Sequence, residues 1–223
     1  MPNKLVELVN VWASYENDSP DLTIRDFCIR YLTEQEHHYT EQPEESWKSN
    51  RNGYLGALIG RMSKYANFYS RKALKSQEIN NIEDVIFLIR IIQVGAPKKS
   101  ELIYDMLAEF PSGIDIIKRL INLGLCEEFP DEQDKRSKRV KITQKGLDSM
   151  PAFFEVLDKV ALMTTGLLTV AEKELLIGIL EKLEYFHNRH YMAGRNEDFE
   201  ALFNGIQAEQ TTSALPQAIA QTQ

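Results

Sequence analysis

The order of elements between residues 99 and 146 constrains this chain most. Apolar spacing predicts one short helix over residues 99–107 and a second over residues 111–123. Pro111 suits the first turn of the second helix, and Gly124 supplies the left-handed residue that closes it. Two strand-like stretches, LCEEF and RVKIT, then predict a β-hairpin with a polar turn. The segment therefore combines a short helix, a turn, a second helix and a hairpin.

The hairpin also concentrates positive charge. Residues 135–145 hold six basic residues and no acidic one, whereas the whole chain has a formal net charge of −7. A helix is thin enough to enter the DNA major groove, which is about 12 Å wide. Basic residues on a neighbouring hairpin can reach phosphates or the minor groove. The segment is therefore predicted to be a winged helix-turn-helix.

The remaining chain is predicted to be helical almost throughout. Thr169 and Glu172 have capping-box spacing, which marks the start of one of these helices. Beyond Gln207 the sequence is polar and free of aromatic residues, which predicts a disordered tail. Further helices are expected from Leu5 to a break at Asn17, from Thr23 to about residue 38, and over residues 52–76, 82–93, 145–163 and 169–190.

Charge varies strongly along the chain. Residues 1–50 hold 4 basic and 10 acidic residues, residues 51–80 hold 6 basic and 1 acidic, and residues 147–223 hold 5 basic and 11 acidic. Such asymmetry indicates a local anion-binding surface on an otherwise acidic body. The alternative interpretation of any single basic run is a solvated surface.

Several classes of protein are not expected. The N-terminus has no signal-peptide pattern, and no apolar run is long enough to span a membrane. Two distant cysteines form no metal-type pair, which fits a reducing, cytoplasmic location. No nucleophile–base pair, phosphate loop or paired-acid motif is present, so we expect neither an enzyme nor a cofactor.

Three stretches carry a resemblance to a known family: SELIYDMLAEF, RLINLGL and DEQDKRSKRVKITQKG. The third contains Asp134-x-Arg136 and Thr143-x-x-Gly146, the most specific parts. Over residues 52–190 the chain resembles the multiple-antibiotic-resistance-regulator (MarR) family of bacterial transcription factors. The resemblance implies a homodimer with interlocked terminal helices that presents two winged domains to a pseudo-palindromic DNA site. It also implies a possible small-molecule effector as a partner.

The predicted fold class is mainly α with a small β-hairpin wing, a winged helix-turn-helix with long N- and C-terminal dimerisation helices. The apolar stripes of helices 52–76 and 169–190 are too extensive for a free surface, which predicts an obligate homodimer. The predicted domains are a helical extension (1–50), a dimerisation or linking helix (51–80), the winged helix-turn-helix (81–146), C-terminal dimerisation helices (147–190) and a partly disordered tail (191–223).

Charge and the resemblance together suggest the DNA contacts. Four basic residues are expected at the hairpin tip, and Asp134 is expected to orient the wing through an ion pair with Arg136. A simple turn residue beside Lys135 is the alternative for Asp134. The candidate DNA-binding residues are Ser100, Ser112, Asp115, Lys118, Arg119, Lys135, Arg136, Lys138 and Arg139.

The predicted recognition helix departs from the family pattern, which usually offers small hydroxyls and an arginine to base edges. Here Ser112, Lys118 and Arg119 are the residues suited to DNA. Asp115 would accept a hydrogen bond from a cytosine amine or cap a neighbouring arginine. This departure motivates a competing hypothesis, a winged-helix protein-interaction module without sequence-specific DNA binding.

Other side chains allow weaker hypotheses. An aromatic effector could bind among Tyr65, Phe68, Tyr69 and Phe87, with Phe153 and Phe154 nearby, but aromatic residues at helical spacing are more often core. The histidines are expected at the surface rather than on zinc, because no acid or cysteine stands at ligand spacing. Cys28 is expected to be buried among apolar neighbours. Residues 1–50 are predicted to form two helices that pack on the dimer, with anchors at Trp12, Phe27, Tyr31 and Leu32. The four histidines are His37, His38, His187 and His190.

Overall fold

The computed structural model describes residues 3–35, 50–79 and 81–219. It divides into two compact units, Met1–Arg61 and Met62–Gln223, and one long helix begins in the first and ends in the second. The helices are α1 (Lys4–Asp18), α2 (Ile24–Gln35), α3 (Arg51–Ala73), α4 (Ile82–Val94), α5 (Lys99–Asp105), α6 (Phe110–Asn122), α7 (Gln144–Thr165), α8 (Val170–Gly194) and α9 (Phe199–Ile219), and the strands are β1 (Cys126–Pro130) and β2 (Lys138–Ile142).

The first unit contains the two predicted helices, α1 and α2, around one aromatic residue. Phe27 is buried and its ring lies 5.0 Å from Trp12, 5.4 Å from Tyr15 and 5.8 Å from Tyr31. Cys28 is exposed, so its predicted burial is wrong. Successive residues on a helix point about 100° apart, and Phe27 takes the inward position. The predicted linker and His37 and His38 lie outside the described residues.

The second unit holds the main core, at the predicted winged domain. α4 is apolar on most of its surface, and its Val85, Phe87, Leu88 and Ile91 are all buried. α5, α6 and the hairpin pack against it and bury the apolar faces that the sequence predicts. Burial of this many large apolar side chains is the main source of stability for the domain. The core also includes Leu74, Ile79, Leu102, Ile103, Ile116, Ile117, Leu120, Leu125, Val140, Met150 and Phe153.

The two strands form the predicted antiparallel hairpin. Its register pairs Cys126 with Ile142 and Pro130 with Lys138. Lys98 makes an isolated antiparallel bridge to Arg139, so the segment before α5 acts as a short third strand.

Two residues join the hairpin to α7. Thr143 Oγ1 accepts a hydrogen bond from Gly146 N (3.1 Å) and donates one to the carbonyl of Gly124 (2.6 Å). A Cβ on Gly146 would overlap the carbonyl oxygen of Leu125 and the side chain of Ile142. The Thr143-x-x-Gly146 pattern is therefore a helix cap with a glycine at a close approach.

The C-terminal part contains one helix more than expected. The structure has α9 where the sequence analysis expected a tail, partly disordered beyond Gln207. Asp198 Oδ1 accepts a hydrogen bond from Ala201 N at the start of α9, Leu202 packs closely on Gly194, and Glu209 pairs with Arg189. These contacts with α8 support a helix that composition alone did not indicate. None of the described helices is long and apolar enough to cross a membrane.

Candidate nucleic-acid interface

Helix α6 occupies the position of a recognition helix. A Cβ on Gly113 would lie 2.6 Å from Ile103, so the glycine permits close packing of α5 against α6. Ile116, Ile117 and Leu120 bury the inner face of the helix in the core. The opposite face is solvent-exposed and carries Pro111, Ser112, Asp115, Lys118 and Asn122. Asp115 and Lys118 form an exposed ion pair at 3.6 Å.

Arg119 on α6 is held by α4. Its guanidinium donates two hydrogen bonds to Asp84, at 2.6 and 3.1 Å, and the Asp84 side chain is only 3% exposed. This hydrogen-bonded pair raises the pKa of Arg119. A buried carboxylate requires a charged partner, so Arg119 fixes α6 on α4. Half of its surface remains exposed.

The strands of the wing pair most of their positive charges internally. Lys138 contacts Glu128, which also binds Lys99, and these hydrogen bonds lower the pKa of Glu128. Arg139 contacts Asp131, whose side chain is 1% exposed, and donates a 2.7 Å hydrogen bond to the carbonyl of Ala96. Both Lys138 and Arg139 lie in β2. Their predicted position at the hairpin tip is therefore wrong.

The next two basic residues along the chain are also paired. Lys141 forms a 3.0 Å ion pair with Glu127, its neighbour on β1, and Lys145 forms a 2.5 Å ion pair with Glu78. Four of the six basic residues in 135–145 thus have carboxylate partners. Lys135 and Arg136, in the turn, have none among the described residues, and both are exposed.

Two aspartates shape the turn that presents Lys135 and Arg136. Asp131 Oδ1 accepts hydrogen bonds from the backbone of Gln133 (3.0 Å) and Asp134 (2.7 Å). Asp134 accepts one from the backbone of Arg136 (3.1 Å) and one from Ser137 Oγ (2.7 Å). These donors favour the ionised forms and lower the pKa of both carboxyl groups.

Asp134 thus supports the wing, but not through the expected ion pair. Its contacts run to the backbone of Arg136 and to Ser137, and the described residues show no pairing with the Arg136 guanidinium. Since that guanidinium is not used to hold the turn, it is free to project from it. The alternative interpretation, a turn residue, describes Asp134 better.

The other candidate residues differ in their exposure. Ser100 is half-buried on α5. Phe87 on α4 is buried in the hydrophobic core, whereas Tyr65 and Phe68 on α3 are exposed. The three side chains therefore do not share one exposed surface. Tyr69 is half-buried beside Phe68, with ring centroids 5.6 Å apart. Their role as an effector pocket remains a prediction.

Neither cysteines nor histidines form a metal centre in the part of the chain that is described. Cys126 is buried, and burial raises the pKa of its thiol to about 11, which keeps it protonated near neutral pH. His187 is exposed, and His190 Nε2 lies 3.1 Å from Oε2 of Glu209 between α8 and α9.

The fold has counterparts among known proteins. Residues 79–146 match the family model described as a winged helix DNA-binding domain. A mutant MarR from E. coli, complexed with operator DNA, shares 22% sequence identity and a TM-score of 0.55, over 60% of this chain and 96% of that one. This chain has the MarR-type winged-helix fold.

Two further solved structures have a similar fold. A probable transcriptional regulator from Pseudomonas aeruginosa shares 16% identity and a TM-score of 0.54, over 58% of this chain and 96% of that one. BpsR from Bordetella bronchiseptica, whose DNA binding is regulated by 6-hydroxynicotinic acid, shares 18% identity and a TM-score of 0.54, over 58% and 91%. No curated protein matches the sequence.

Sequence reasoning missed the acidic partners of the interface. The sequence analysis named none of the three carboxylates that pair with the basic residues of α6 and β2. These carboxylates are Asp84, Glu128 and Asp131. One signal was available. Glu128 pairs across the hairpin with Val140, which brings it diagonally close to Lys138 once the register is known.

Proposed function

We propose that this chain is a homodimeric DNA-binding transcriptional regulator that recognises a pseudo-palindromic operator. The observation that carries the proposal is the exposed face of α6 beside a wing whose turn presents two basic residues with no carboxylate partner among the described residues. The MarR-type fold supports it, since a structural relative is complexed with operator DNA. The matched family and relatives also favour a regulator over an enzyme.

The two parts of the interface, α6 and the wing turn, would have different roles in DNA binding. Ser112, Asp115 and Lys118 offer a hydroxyl, a carboxylate and an ammonium group, which can contact base edges in the major groove. Lys135 and Arg136 carry positive charge without base-specific geometry, which suits phosphates or a narrow minor groove. Sequence preference would thus come mainly from α6 and affinity mainly from the wing.

A second copy of the chain is part of the proposal. Met62 on α3 and Leu175, Leu176 and Ile179 on α8 are all more than 40% exposed in the single chain. Exposed apolar side chains concentrated on a helix favour an interaction site on a folded protein. Two copies joined through these helices would present two winged domains, as a pseudo-palindromic site requires. The predicted packing of residues 1–50 on this dimer is part of the same proposal.

A small-molecule effector is a further part of this function, supported by the regulation of BpsR by 6-hydroxynicotinic acid. The exposed aromatic side chains Tyr65 and Phe68 provide a surface on which an aromatic acid could stack. An aromatic acid that weakens DNA binding by the wild-type protein, but not by Tyr65→Ala, would support this site. Equal weakening of both would place the effector elsewhere.

The competing function is a winged-helix protein-interaction module. It is favoured by exposed apolar side chains on α1, including Leu5, Leu8 and Val9, which DNA binding does not use. The deciding experiment compares binding to a fragment of the protein's own promoter and to a random fragment of equal length at 0.15 M salt. We expect a dimer by mass and tighter binding to the promoter fragment. Equal or absent binding to both would favour the interaction module.

A further inference from the structure

A second concentration of positive charge lies outside the wing. Lys64 and Arg71 on α3 and Lys75 in the following turn line a groove of about 690 Å³. Asn81 and Glu83, at the start of α4, form its other side. We call this the basic groove. It contains three of the six basic residues that the sequence places in residues 51–80.

The basic residues of the groove differ from those of the wing in their partners. Lys64, Arg71 and Lys75 are all exposed, and none has an ion-pair partner among the described residues. Glu83 is the one carboxylate on the groove lining that is described. Three unpaired cations in one groove create a positive potential even though the chain as a whole is acidic.

The groove lies on the side of α3 away from its apolar stripe. At about 100° per residue, Lys64 and Arg71 share one face, whereas Met62 and Tyr69 share the opposite one. The apolar stripe is the surface proposed for the second copy of the chain. The groove would therefore stay open to solvent in the dimer.

The groove is linked to the recognition helix through the first turn of α4. Its wall at Glu83 is the first turn of α4, and the next residue, Asp84, holds Arg119 of the recognition helix. Glu83 itself acts electrostatically on Arg119. The cations of the groove thus lie across the first turn of α4 from the last turns of α6.

We propose that the basic groove binds phosphates of the DNA backbone that flank the segment contacted by α6 and the wing. This inference rests on the proposed function. Anions other than DNA phosphates would use the same ammonium and guanidinium groups, but the contact between the first turn of α4 and α6 favours the DNA backbone. Each protomer would then contact DNA at three places: α6, the wing turn and the groove.

The test is a titration of DNA binding against salt. The variant K64Q/R71Q/K75Q should lower the slope of log K against log salt by about 0.9 for each phosphate that is no longer neutralised. The loss should be equal on promoter and random DNA, because phosphates carry no sequence information. Glu83→Gln, which removes the groove's carboxylate, should instead tighten binding to both.

The matched control removes the same charge elsewhere. The variant K159Q/K173Q/K182Q changes α7 and α8 by three charges, and it should leave the slope within error of the wild type. Both triple variants are first shown to keep the wild-type mass and helical content. If the wild type binds DNA and the groove variant keeps its slope, the inference is overturned while the proposed function stands. If the wild type binds no DNA, both fail.

Calorimetry with tripolyphosphate, at constant ionic strength, tests whether the groove binds a free polyanion rather than DNA. We expect tripolyphosphate to bind too weakly to compete with DNA. DNA affinity should therefore be the same with and without tripolyphosphate, at equal ionic strength. Saturable binding that the groove variant abolishes, together with an unchanged DNA slope, would assign the groove to a small polyanion and overturn the inference.

Discussion

The strands and the turn of the wing both contain neighbouring pairs of basic residues, but the two pairs differ in structure. In the strands, Lys138 forms an ion pair with Glu128, and Arg139 forms one with Asp131. These ion pairs stabilise the hairpin. In the turn, Lys135 and Arg136 have no carboxylate partner in the described part of the chain and are exposed. The backbone contacts of Asp131 hold this turn without using either cation.

This difference shows that a count of basic residues overestimates the charge available to DNA. Counterions are released when a cation replaces them at a phosphate. A cation that already has a carboxylate partner must break that contact first, and it leaves an unpaired carboxylate behind. The turn should therefore govern DNA affinity, while the strands should govern the stability of the hairpin.

The largest effect is expected at the base of the strands. Gly146→Ala would force a methyl group onto the carbonyl of Leu125, a backbone atom that cannot move without opening the hairpin. We expect a loss of about 3 kcal/mol in the free energy of unfolding, measured by urea denaturation. The matched control is Gly205→Ala on α9, where a Cβ meets nothing within 4 Å. It should be neutral or stabilising, by about 0.5 kcal/mol. Equal losses in both variants would contradict the close approach.

The next effect separates two neighbouring basic residues of α6. Arg119→Ala leaves Asp84 buried without its partner. Because Arg119 is half-exposed, water can partly replace it, so we expect a loss of about 2 kcal/mol in the free energy of unfolding. Lys118→Ala should change stability by less than about 0.5 kcal/mol and should instead weaken DNA binding. Denaturation and DNA titration of both variants measure this. A stable Arg119→Ala protein would show that the pair does not fix α6.

A smaller effect is expected in acid. Asp131 and Asp134 have pKa values below their unfolded values of about 3.9. Their contribution to stability is therefore complete above that pH, and it is lost as the pH falls through the lower folded values. Amide exchange in residues 131–137 should accelerate as the pH falls below about 4 relative to exchange in the α4 core, after correction for intrinsic rates. Unchanged relative protection down to pH 2 would show that these carboxylates do not hold the turn.

The fold was largely predictable from the sequence. The two short helices, the hairpin and the capping box of Thr169 and Glu172 follow from local patterns, because periodicity and capping depend on residues close together in the chain. Helix α9 was missed for the opposite reason. Its support comes from Gly194 and Arg189 on α8, and composition does not reveal such contacts.

The interface was predictable only in part. A sequence identifies the basic residues of the wing, but their partners depend on register and on tertiary contacts. Arg139 is held by the carbonyl of Ala96, 43 residues away, as well as by Asp131. Cys28 illustrates a related limit: its apolar neighbours suggested burial, yet the helix turns Phe27 inward instead.

The most direct test of the account compares two double variants of the wing. K135A/R136A removes the unpaired charges of the turn, and K138A/R139A removes the paired charges of the strands. DNA affinity is measured for both, on promoter and random fragments and at several salt concentrations, alongside urea denaturation. We predict that K135A/R136A keeps the wild-type stability but lowers the salt slope by about 0.9 for each phosphate that the turn no longer neutralises. K138A/R139A should lose stability and, while folded, keep most of the slope. A wild-type slope in K135A/R136A, with the loss confined to K138A/R139A, would contradict the account.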